Sequence, residues 1–199
     1  MPIKATARIA VGSRDRILNA AIKRFSRNSY ERTSLRDIAT DVGVDVAYVH
    51  RCFGSKDRLF SEAIEASAHV SELVNASKDE LAESLASHAL AGRGQRDQAL
   101  GIFIHSVSSP EAAPLLRRFI LDSVIDPLSE EIGGSSTTQA TLIAALLTGV
   151  SIFRNMLRLR PLLGAEGGEL EALIAQAIQG MIERVDVPKA PGKLEGACQ

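Results

Sequence analysis

Cysteine is scarce in this chain of 199 residues, which holds only Cys52 and Cys198. Two cysteines so far apart form neither a disulfide framework nor the spacing of a zinc site, and they suit a reducing cytosol. The four histidines, His50, His69, His88 and His105, are scattered as well. Neither a nucleophile elbow nor a glycine-rich phosphate loop is present. We therefore expect a protein that is not an enzyme and that needs no cofactor or metal.

Long hydrophobic runs and strand patterns are also missing. The longest uncharged stretch, 132–153, is divided by polar residues, so its apolar part is shorter than the ~20 residues that span a bilayer. The apolar run 9–11 is too short for a signal peptide. Helical spacing of apolar residues, by contrast, recurs along the chain. The sequence thus predicts a soluble, cytoplasmic, all-α protein with no membrane segment.

The net charge of −1 conceals a division between two parts of the chain. Residues 1–60 contain 12 Lys and Arg against 6 Asp and Glu, whereas residues 61–199 contain 11 against 18. A basic part joined to an acidic part is expected where only one of them meets phosphate groups.

Three short amphipathic helices are predicted between residues 16 and 60. We expect Ser13, Ser34 and Asp45 to cap them and Ser55 to open a fourth helix that continues to about Asn75. Later helices are predicted near 78–91, 96–108, 112–132, 137–160 and 168–185, with Pro127 kinking or splitting the third of these. Gly43 marks a tight bend between the second and third helices. This order is that of a helix-turn-helix, which places a small helix in the major groove of DNA.

The same stretch resembles the DNA-binding domain of the tetracycline-repressor (TetR/AcrR) family of bacterial transcription regulators. The matching positions are Ile17, Leu18, Ala20, Ala21, Phe25, Tyr30, Thr33, Ser34, Ile38, Ala39, Gly43, Val44, Phe53, Ser55, Lys56, Asp57 and Leu59. Three positions depart from the family pattern. Ser29 replaces a glycine, His50 replaces the tyrosine that touches phosphate, and Cys52 replaces a histidine, so the operator sequence cannot be transferred from the family.

Candidate DNA contacts follow from the helix-turn-helix geometry. Thr33 and Ser34 are expected to offer a hydroxyl and helix-start amides to a phosphate. Val46, Ala47 and Tyr48 lie where the third helix meets base edges, and the first two suit thymine methyl groups. We expect phosphate contacts from His50, Arg51 and Lys56. Arg51 and Lys56 alone would equally fit solvated surface charges, and Tyr48 alone would fit a packing role.

The remainder of the chain is expected to hold a homodimer interface and a ligand pocket. The predicted interface combines a small-residue stripe with an apolar face: Thr141, Ala145, Gly149, Leu170, Leu173, Ile174, Ala177, Ile178 and Met181. The predicted pocket mixes apolar and polar residues: Phe103, His105, Leu116, Arg117, Phe119, Ile120, Phe153, Asn155 and Met156. Both sets would also fit ordinary core, and Arg117, Arg154 or Arg158 would suit either an anionic effector or the surface.

These features divide the chain into four segments. They are a flexible arm (1–12), a helix-turn-helix domain (13–60, the head), a helical regulatory and dimerisation domain (61–187, the body) and a disordered tail (188–199). The predicted function is a transcriptional regulator, a repressor released from a palindromic DNA operator by a small-molecule effector. It would act in the bacterial cytoplasm, at the nucleoid when bound to DNA. Two alternatives remain open: a helical protein that sequesters a small molecule and no longer binds DNA, and a redox switch at Cys52.

Overall fold

The structure is a computed structural model that describes residues 12–68, 80–90, 95–133, 137–164 and 168–183. Every regular element within these ranges is helical, which confirms the all-α prediction. The helices are α1 (Ser13–Phe25), α2 (Leu35–Val42), α3 (Val46–Phe53), α4 (Lys56–Ala68), α5 (Leu81–Leu90), α6 (Gln95–Ser106), α7 (Ala112–Phe119), α8 (Asp126–Glu131), α9 (Thr137–Ser151), α10 (Arg160–Leu163) and α11 (Glu169–Glu183). Two π-helical stretches, Ile120–Ile125 and Ile152–Met156, continue α7 and α9 without a break.

Local side-chain chemistry sets the ends of α2 and α3 as predicted. The Ser34 hydroxyl accepts the amide of Asp37, and the Asp37 carboxylate accepts the amide of Ser34, which forms a capping box. Gly43 closes α2 with a φ of +73°, a conformation that favours glycine. Asp45 accepts the amide of Ala47 at 2.7 Å and caps α3.

The predicted cap at Ser13 is wrong. Gly12 precedes α1 as its flanking residue, and Ser13 is the first residue within the helix. The Arg16 amide donates to the Gly12 carbonyl at 3.0 Å, so the helical hydrogen bonding begins one residue earlier than the sequence suggests. Ser55 fulfils its prediction, because its hydroxyl accepts the amide of Arg58 at the start of α4.

The later helices follow the predicted order with two irregularities. Before Pro127 the chain is π-helical, and the Asp126 amide donates to the carbonyl of Leu121, five residues back. This wider turn lies directly before a proline that has no amide to donate, and the helical run continues through it from α7 to α8 without a break. The predicted split is therefore not observed, and the predicted kink stays a prediction. The predicted helix 137–160 ends early, since α9 and its π-helical continuation stop at Met156. The predicted end of α4 near Asn75, the flexible arm and the disordered tail fall outside the described residues, except for Gly12.

Two hydrophobic cores organise the described residues. The first core consists of Ile17, Ala21, Ile22, Phe25, Tyr30, Leu35, Ile38, Ala39, Val42, Val49, Phe53, Leu59, Phe60, Ala63, Ile64, Ile102, Ala112 and Leu116. The second core consists of Leu81, Ala82, Leu85, Ala86, Ile125, Leu128, Ile132, Ala140, Ile143, Ile174 and Ile178. The first core thus joins helices α1 to α4 to α6 and α7. The helical run from α7 to α8 contributes side chains to both cores.

Two close contacts fasten α6 and α7 to the head. A Cβ added at Gly101 of α6 would lie 2.6 Å from the backbone oxygen of Ser26, so only glycine permits this approach. The buried hydroxyl of Ser109 donates to the carboxylate of Glu31 and accepts the amide of Ala112 at 3.0 Å. The loop after α1 is therefore connected to the beginning of α7 by a hydrogen bond as well as by packing. Among the described residues, no helix is long and apolar enough to cross a membrane.

Candidate nucleic-acid interface

Helix α3 is held by its apolar side and presents its other side to solvent. Val49 and Phe53 are buried in the first core, whereas Ala47, His50 and Arg51 are exposed. Positions three and four apart share one face of a helix, so the three exposed residues form a continuous strip. Val46 and Tyr48 are half-buried and pack against the first core. The five predicted residues of α3 therefore lie close together, and two of them, Val46 and Tyr48, also pack against the first core.

Two of the predicted contact residues stack on aromatic rings. The Arg51 guanidinium carbon lies 5.3 Å from the centroid of the Tyr48 ring, on the exposed strip of α3. The Lys56 ammonium lies 3.8 Å above the centroid of the Tyr30 ring, at the start of α4. Such cation–π contacts restrict a side chain without neutralising it. Arg51 is exposed and free to approach DNA, while Lys56 is half-buried and occupied by the ring.

The two residues before α2 have different surroundings. Thr33 is buried, its hydroxyl donates to the Ser29 carbonyl at 3.3 Å and its amide donates to the Tyr30 carbonyl. Thr33 therefore offers a phosphate neither its hydroxyl nor its amide, which corrects the expectation from the sequence. Ser34 is exposed, but Asp37 already binds its amide and hydroxyl. The first intrahelical donor is Ile38, so the amides of Leu35 and Arg36 have no acceptor within α2.

The basic residues of the head divide into paired and unpaired groups. Arg14 pairs with Glu62, Arg24 pairs with Asp41 at 2.5 and 2.8 Å, and Arg16 donates to the Val42 carbonyl. Within the head, seven exposed cations form no ion pair: Arg16, Lys23, Arg27, Arg32, Arg36, Arg51 and Arg58. The sequence analysis counted Arg36 and Arg58 in the net charge but did not identify them as contacts. Their positions within the helix-turn-helix could have identified both residues as candidate DNA contacts.

Hydrogen bonds stabilise the ionised carboxylates of the head. Ser34 lowers the pKa of Asp37, and Arg24 lowers the pKa of Asp41, chiefly through their side-chain hydrogen bonds. The hydroxyl of Ser109 likewise lowers the pKa of Glu31. Burial, followed by the hydrogen bond to Asp57, raises the pKa of Tyr30, so this phenol remains protonated. The lowered pKa values keep these carboxylates negatively charged, and among the three only Asp41 is neutralised by an ion pair, with Arg24.

The nine residues predicted as a ligand pocket are not brought together. Phe103, Leu116 and Phe119 belong to the first core or pack against it. Ile120 packs against the second core, and Asn155 is half-buried. The remaining residues of the set, His105, Arg117, Phe153 and Met156, are exposed. The nine residues are thus divided between the two cores and the exterior, and the pocket stays a prediction.

The described residues do form an open groove of about 610 Å³ between α5 and α11. It is lined by Ala82, Glu83, Gly168, Glu171, Ala172, Ala175, Gln176 and Gln179. None of the predicted pocket residues lines this groove. Arg154, which the sequence offered as an anion contact, instead donates to the Leu90 carbonyl at the end of α5.

The predicted dimer residues also separate into two groups. Ile174 and Ile178 are buried in the second core, so they are unavailable to a partner, while Leu170 and Met181 pack against that core. Thr141, Ala145, Leu173 and Ala177 are exposed, and open space surrounds Gly149. Leu142 and Phe153, which are 54% and 49% exposed, extend this surface along α9. Sequence periodicity could not assign either residue to an outer or an inner face.

Two family models match the chain. One, described as bacterial regulatory proteins of the tetR family, matches residues 17–63. The other, the tetracyclin repressor-like C-terminal domain, matches residues 79–182, just over half of the chain. The chain belongs to the TetR family. It is therefore a DNA-binding transcriptional regulator with a C-terminal ligand-binding domain, in a family of regulators rather than enzymes. TetR regulators bind operator DNA as homodimers and respond to small-molecule ligands.

Solved structures show the same fold at low sequence identity. A TetR-family regulator from Streptomyces coelicolor A3 is 23% identical, with a TM-score of 0.58 over 90% of this chain and 99% of that one. GusR of Salmonella enterica is 18% identical, with a TM-score of 0.68 over 89% and 99%. The fatty acid degradation regulator FadR from Bacillus halodurans is 16% identical, with a TM-score of 0.53 over 92% and 98%. No curated protein sequence matches the chain significantly.

Proposed function

We propose that this TetR-family protein is a homodimeric repressor whose α3 helices enter successive major grooves of a palindromic operator. The observation that carries this proposal is the exposed strip of Ala47, His50 and Arg51, held outward by the burial of Val49 and Phe53. Ala47, with the neighbouring Val46 and Tyr48, would meet base edges, and Ala47 and Val46 suit thymine methyl groups. The protein would act in the cytoplasm, associated with the nucleoid while bound.

Phosphate contacts would come from both sides of this strip. Arg51 and the unpaired Arg36 and Arg58 are exposed cations on α3, α2 and α4, and the amides of Leu35 and Arg36 have no acceptor within α2. Neutralising phosphates releases condensed counterions, so the affinity must fall steeply as salt rises. Ser34 and Lys56 are retained as contacts of lower importance, because Asp37 and the Tyr30 ring already engage them.

The DNA-binding proposal is tested by titrating a palindrome from the protein's own promoter region by fluorescence anisotropy at several salt concentrations. Arg51→Ala should weaken binding and reduce the slope of log Kd against log salt by about one per subunit. Arg118→Ala is the matched control, since Arg118 is exposed on α7 and paired only with Asp122 in its own helix. Equal slopes for both variants would contradict the assignment of Arg51. A protein that bound small molecules but no DNA at any salt would instead be a sequestering protein.

The proposed dimer interface lies on the exposed faces of α9 and α11. Leu142, Ala145 and Gly149 provide one helix surface, and Leu173 and Ala177 provide the other. Leu173 is 58% exposed in the single chain, so replacing it leaves the second core unchanged. Leu173→Glu should give a folded monomer in analytical ultracentrifugation with much weaker operator binding, whereas the exposed Leu121→Glu should remain dimeric. A Leu173→Glu dimer would place the interface elsewhere.

The effector would act by shifting the population between two arrangements of head and body. The helical run from α7 through α8 contributes Leu116 to the first core and Leu128 to the second, so it connects the two regions mechanically. The hydrogen bond between Glu31 and Ser109 lies at its head end. Ser109→Ala should leave operator binding in place and reduce its response to an effector, which a titration with and without that effector measures.

A further inference from the structure

The imidazole of His50 is oriented by the residue that ends α3. Its Nδ1 lies 3.1 Å from the carbonyl oxygen of Gly54, and the Gly54 amide returns to the His50 carbonyl at 2.7 Å. A carbonyl oxygen only accepts hydrogen bonds, so Nδ1 must carry the hydrogen and donate it. Gly54 has a φ of +78°, which other residues rarely adopt, so this geometry is built into the end of the helix. The main chain therefore fixes which ring nitrogen is protonated.

Because Nδ1 of His50 is hydrogen-bonded to the Gly54 carbonyl, only Nε2 is available for a hydrogen bond to DNA. In the neutral ring Nε2 holds a lone pair and only accepts, as does a phosphate oxygen, so no hydrogen bond forms between them. In the imidazolium ion Nε2 becomes a charged donor, which forms a strong hydrogen bond to phosphate. His50 is exposed on the proposed DNA-binding strip. It can therefore hold a phosphate only after it has taken up a proton.

Among the described residues, the charged groups on and around α3 have partners other than His50 or form no ion pair. Helix α3 packs against α1, α2 and α4. On these elements Arg14 pairs with Glu62, Asp41 with Arg24, Asp57 with the Tyr30 hydroxyl and Lys56 with the Tyr30 ring, whereas Arg36 and Arg58 form no ion pair. On α3 and its flanking residues, Asp45 binds the Ala47 amide, and Tyr48, Arg51 and Cys52 are the other titratable groups. No described carboxylate forms an ion pair with His50.

Two unpaired cations lie at the end of α3. Arg51 follows His50 directly, and a Cβ at Gly54 would lie 3.4 Å from an Nη atom of Arg58. Cations nearby disfavour a further positive charge, whereas a phosphate between them favours it.

We propose that His50 binds a DNA phosphate as the imidazolium ion, so that operator binding takes up one proton per subunit. This inference rests on the proposed function, because it requires α3 to approach the phosphate backbone. The proton comes from solvent, adds to Nε2 and is shared with a phosphate oxygen. Operator affinity consequently rises as the pH falls from 8 to 6, while Nδ1 remains bound to Gly54 throughout.

The test compares the wild-type protein with His50→Tyr at constant ionic strength. A tyrosine hydroxyl donates to phosphate without gaining a proton. The operator Kd of the wild-type dimer should be at least about tenfold lower at pH 6 than at pH 8, and that of His50→Tyr should change less than about threefold. Calorimetry in buffers of different ionisation enthalpy should count about two protons per wild-type dimer and fewer for the variant. His105→Asn, an exposed histidine of α6, should retain the wild-type behaviour.

The outcomes separate this inference from the proposed function. If neither protein binds the operator at any pH, the proposed function fails. If both bind with a steep salt dependence and the wild type shows no pH dependence or proton uptake, the function stands and the role of His50 is refuted. A pH dependence that persists unchanged in His50→Tyr also refutes it, because another group then takes up the proton.

Discussion

The two cores of this TetR-family protein are packed from different side chains. Phe25, Tyr30 and Phe60 meet in the first core with ring centroids 4.9 to 6.0 Å apart, two of the pairs edge-to-face and one stacked. The second core contains only leucine, isoleucine and alanine. Aromatic pairs prefer particular angles, whereas aliphatic side chains repack more freely. The first core, which holds α3 in one orientation, is thus the core that contains aromatic pairs with preferred angles.

This difference also provides a way to observe each core separately. The chain has no tryptophan, and both of its tyrosines, Tyr30 and Tyr48, belong to the first core or pack against it. Tyrosine fluorescence therefore reports on the first core, while far-ultraviolet circular dichroism reports on all helices.

The largest effect is expected from removing an aromatic ring. Phe60→Ala should lower the free energy of unfolding by about 3–5 kcal/mol, because the cavity would lie between Phe25 and Tyr30. The loss should appear as a lower urea midpoint in tyrosine fluorescence. Leu85→Ala is the matched change in the second core and should cost about 2–5 kcal/mol, seen mainly in circular dichroism. If both variants shift both signals equally, the two cores unfold as one unit.

A smaller effect is expected where α6 crosses α1. Gly101→Ala would place its methyl group 2.6 Å from the Ser26 oxygen, and separating the two helices should cost about 1–3 kcal/mol. Gly180→Ala in α11 is the control, since no atom lies within 4 Å of an added Cβ. This control should gain up to about 1 kcal/mol from helix propensity. A neutral Gly101→Ala in thermal unfolding would mean that the α1–α6 contact gives way easily.

The cap of α2 should contribute less. Ser34→Ala removes the capping box and should cost about 1 kcal/mol, measured by urea unfolding. Ser13→Ala is the matched serine at the start of α1, where the side chain makes no capping bond. It should be neutral or slightly stabilising, because alanine favours the helix interior. If Ser13→Ala lowered the free energy of unfolding as much as Ser34→Ala, Ser13 would cap α1 as the sequence predicts.

The smallest effect is a loss of stability in acid. The folded head lowers the pKa of Glu31, Asp37 and Asp41, so their stabilising contribution is present above the unfolded values near 4. This contribution is lost as the pH falls through the lower pKa values that these carboxylates have in the folded state. The midpoint in tyrosine fluorescence should therefore decline between neutral pH and about pH 3. Asp41→Asn should flatten that decline, and an unchanged profile would show that the Arg24–Asp41 pair is fully screened.

The helix-turn-helix was predictable from the sequence because its signals are local. Ser34 with Asp37, Gly43 and Asp45 each act within four residues, and the buried positions of α2 follow the helical repeat. The apolar residues of the body carry no such local information. Periodicity placed Ile174 and Ile178 on a partner-facing surface, whereas α5 covers them within the same chain. Phe153 and Met156 were assigned to a pocket by the chemistry of their side chains, but they lie in the π-helical stretch 152–156 and are exposed, which residue type does not indicate.

The bare contact between Gly101 and Ser26 has a mechanical consequence. Because the backbone of α6 at Gly101 contacts Ser26 directly, we expect a tilt of α6 to move the end of α1 as well. The chain immediately after α1 carries Tyr30 and leads into α2. Evolution of the body would thus be constrained at one small residue, because an added methyl group there must displace the end of α1.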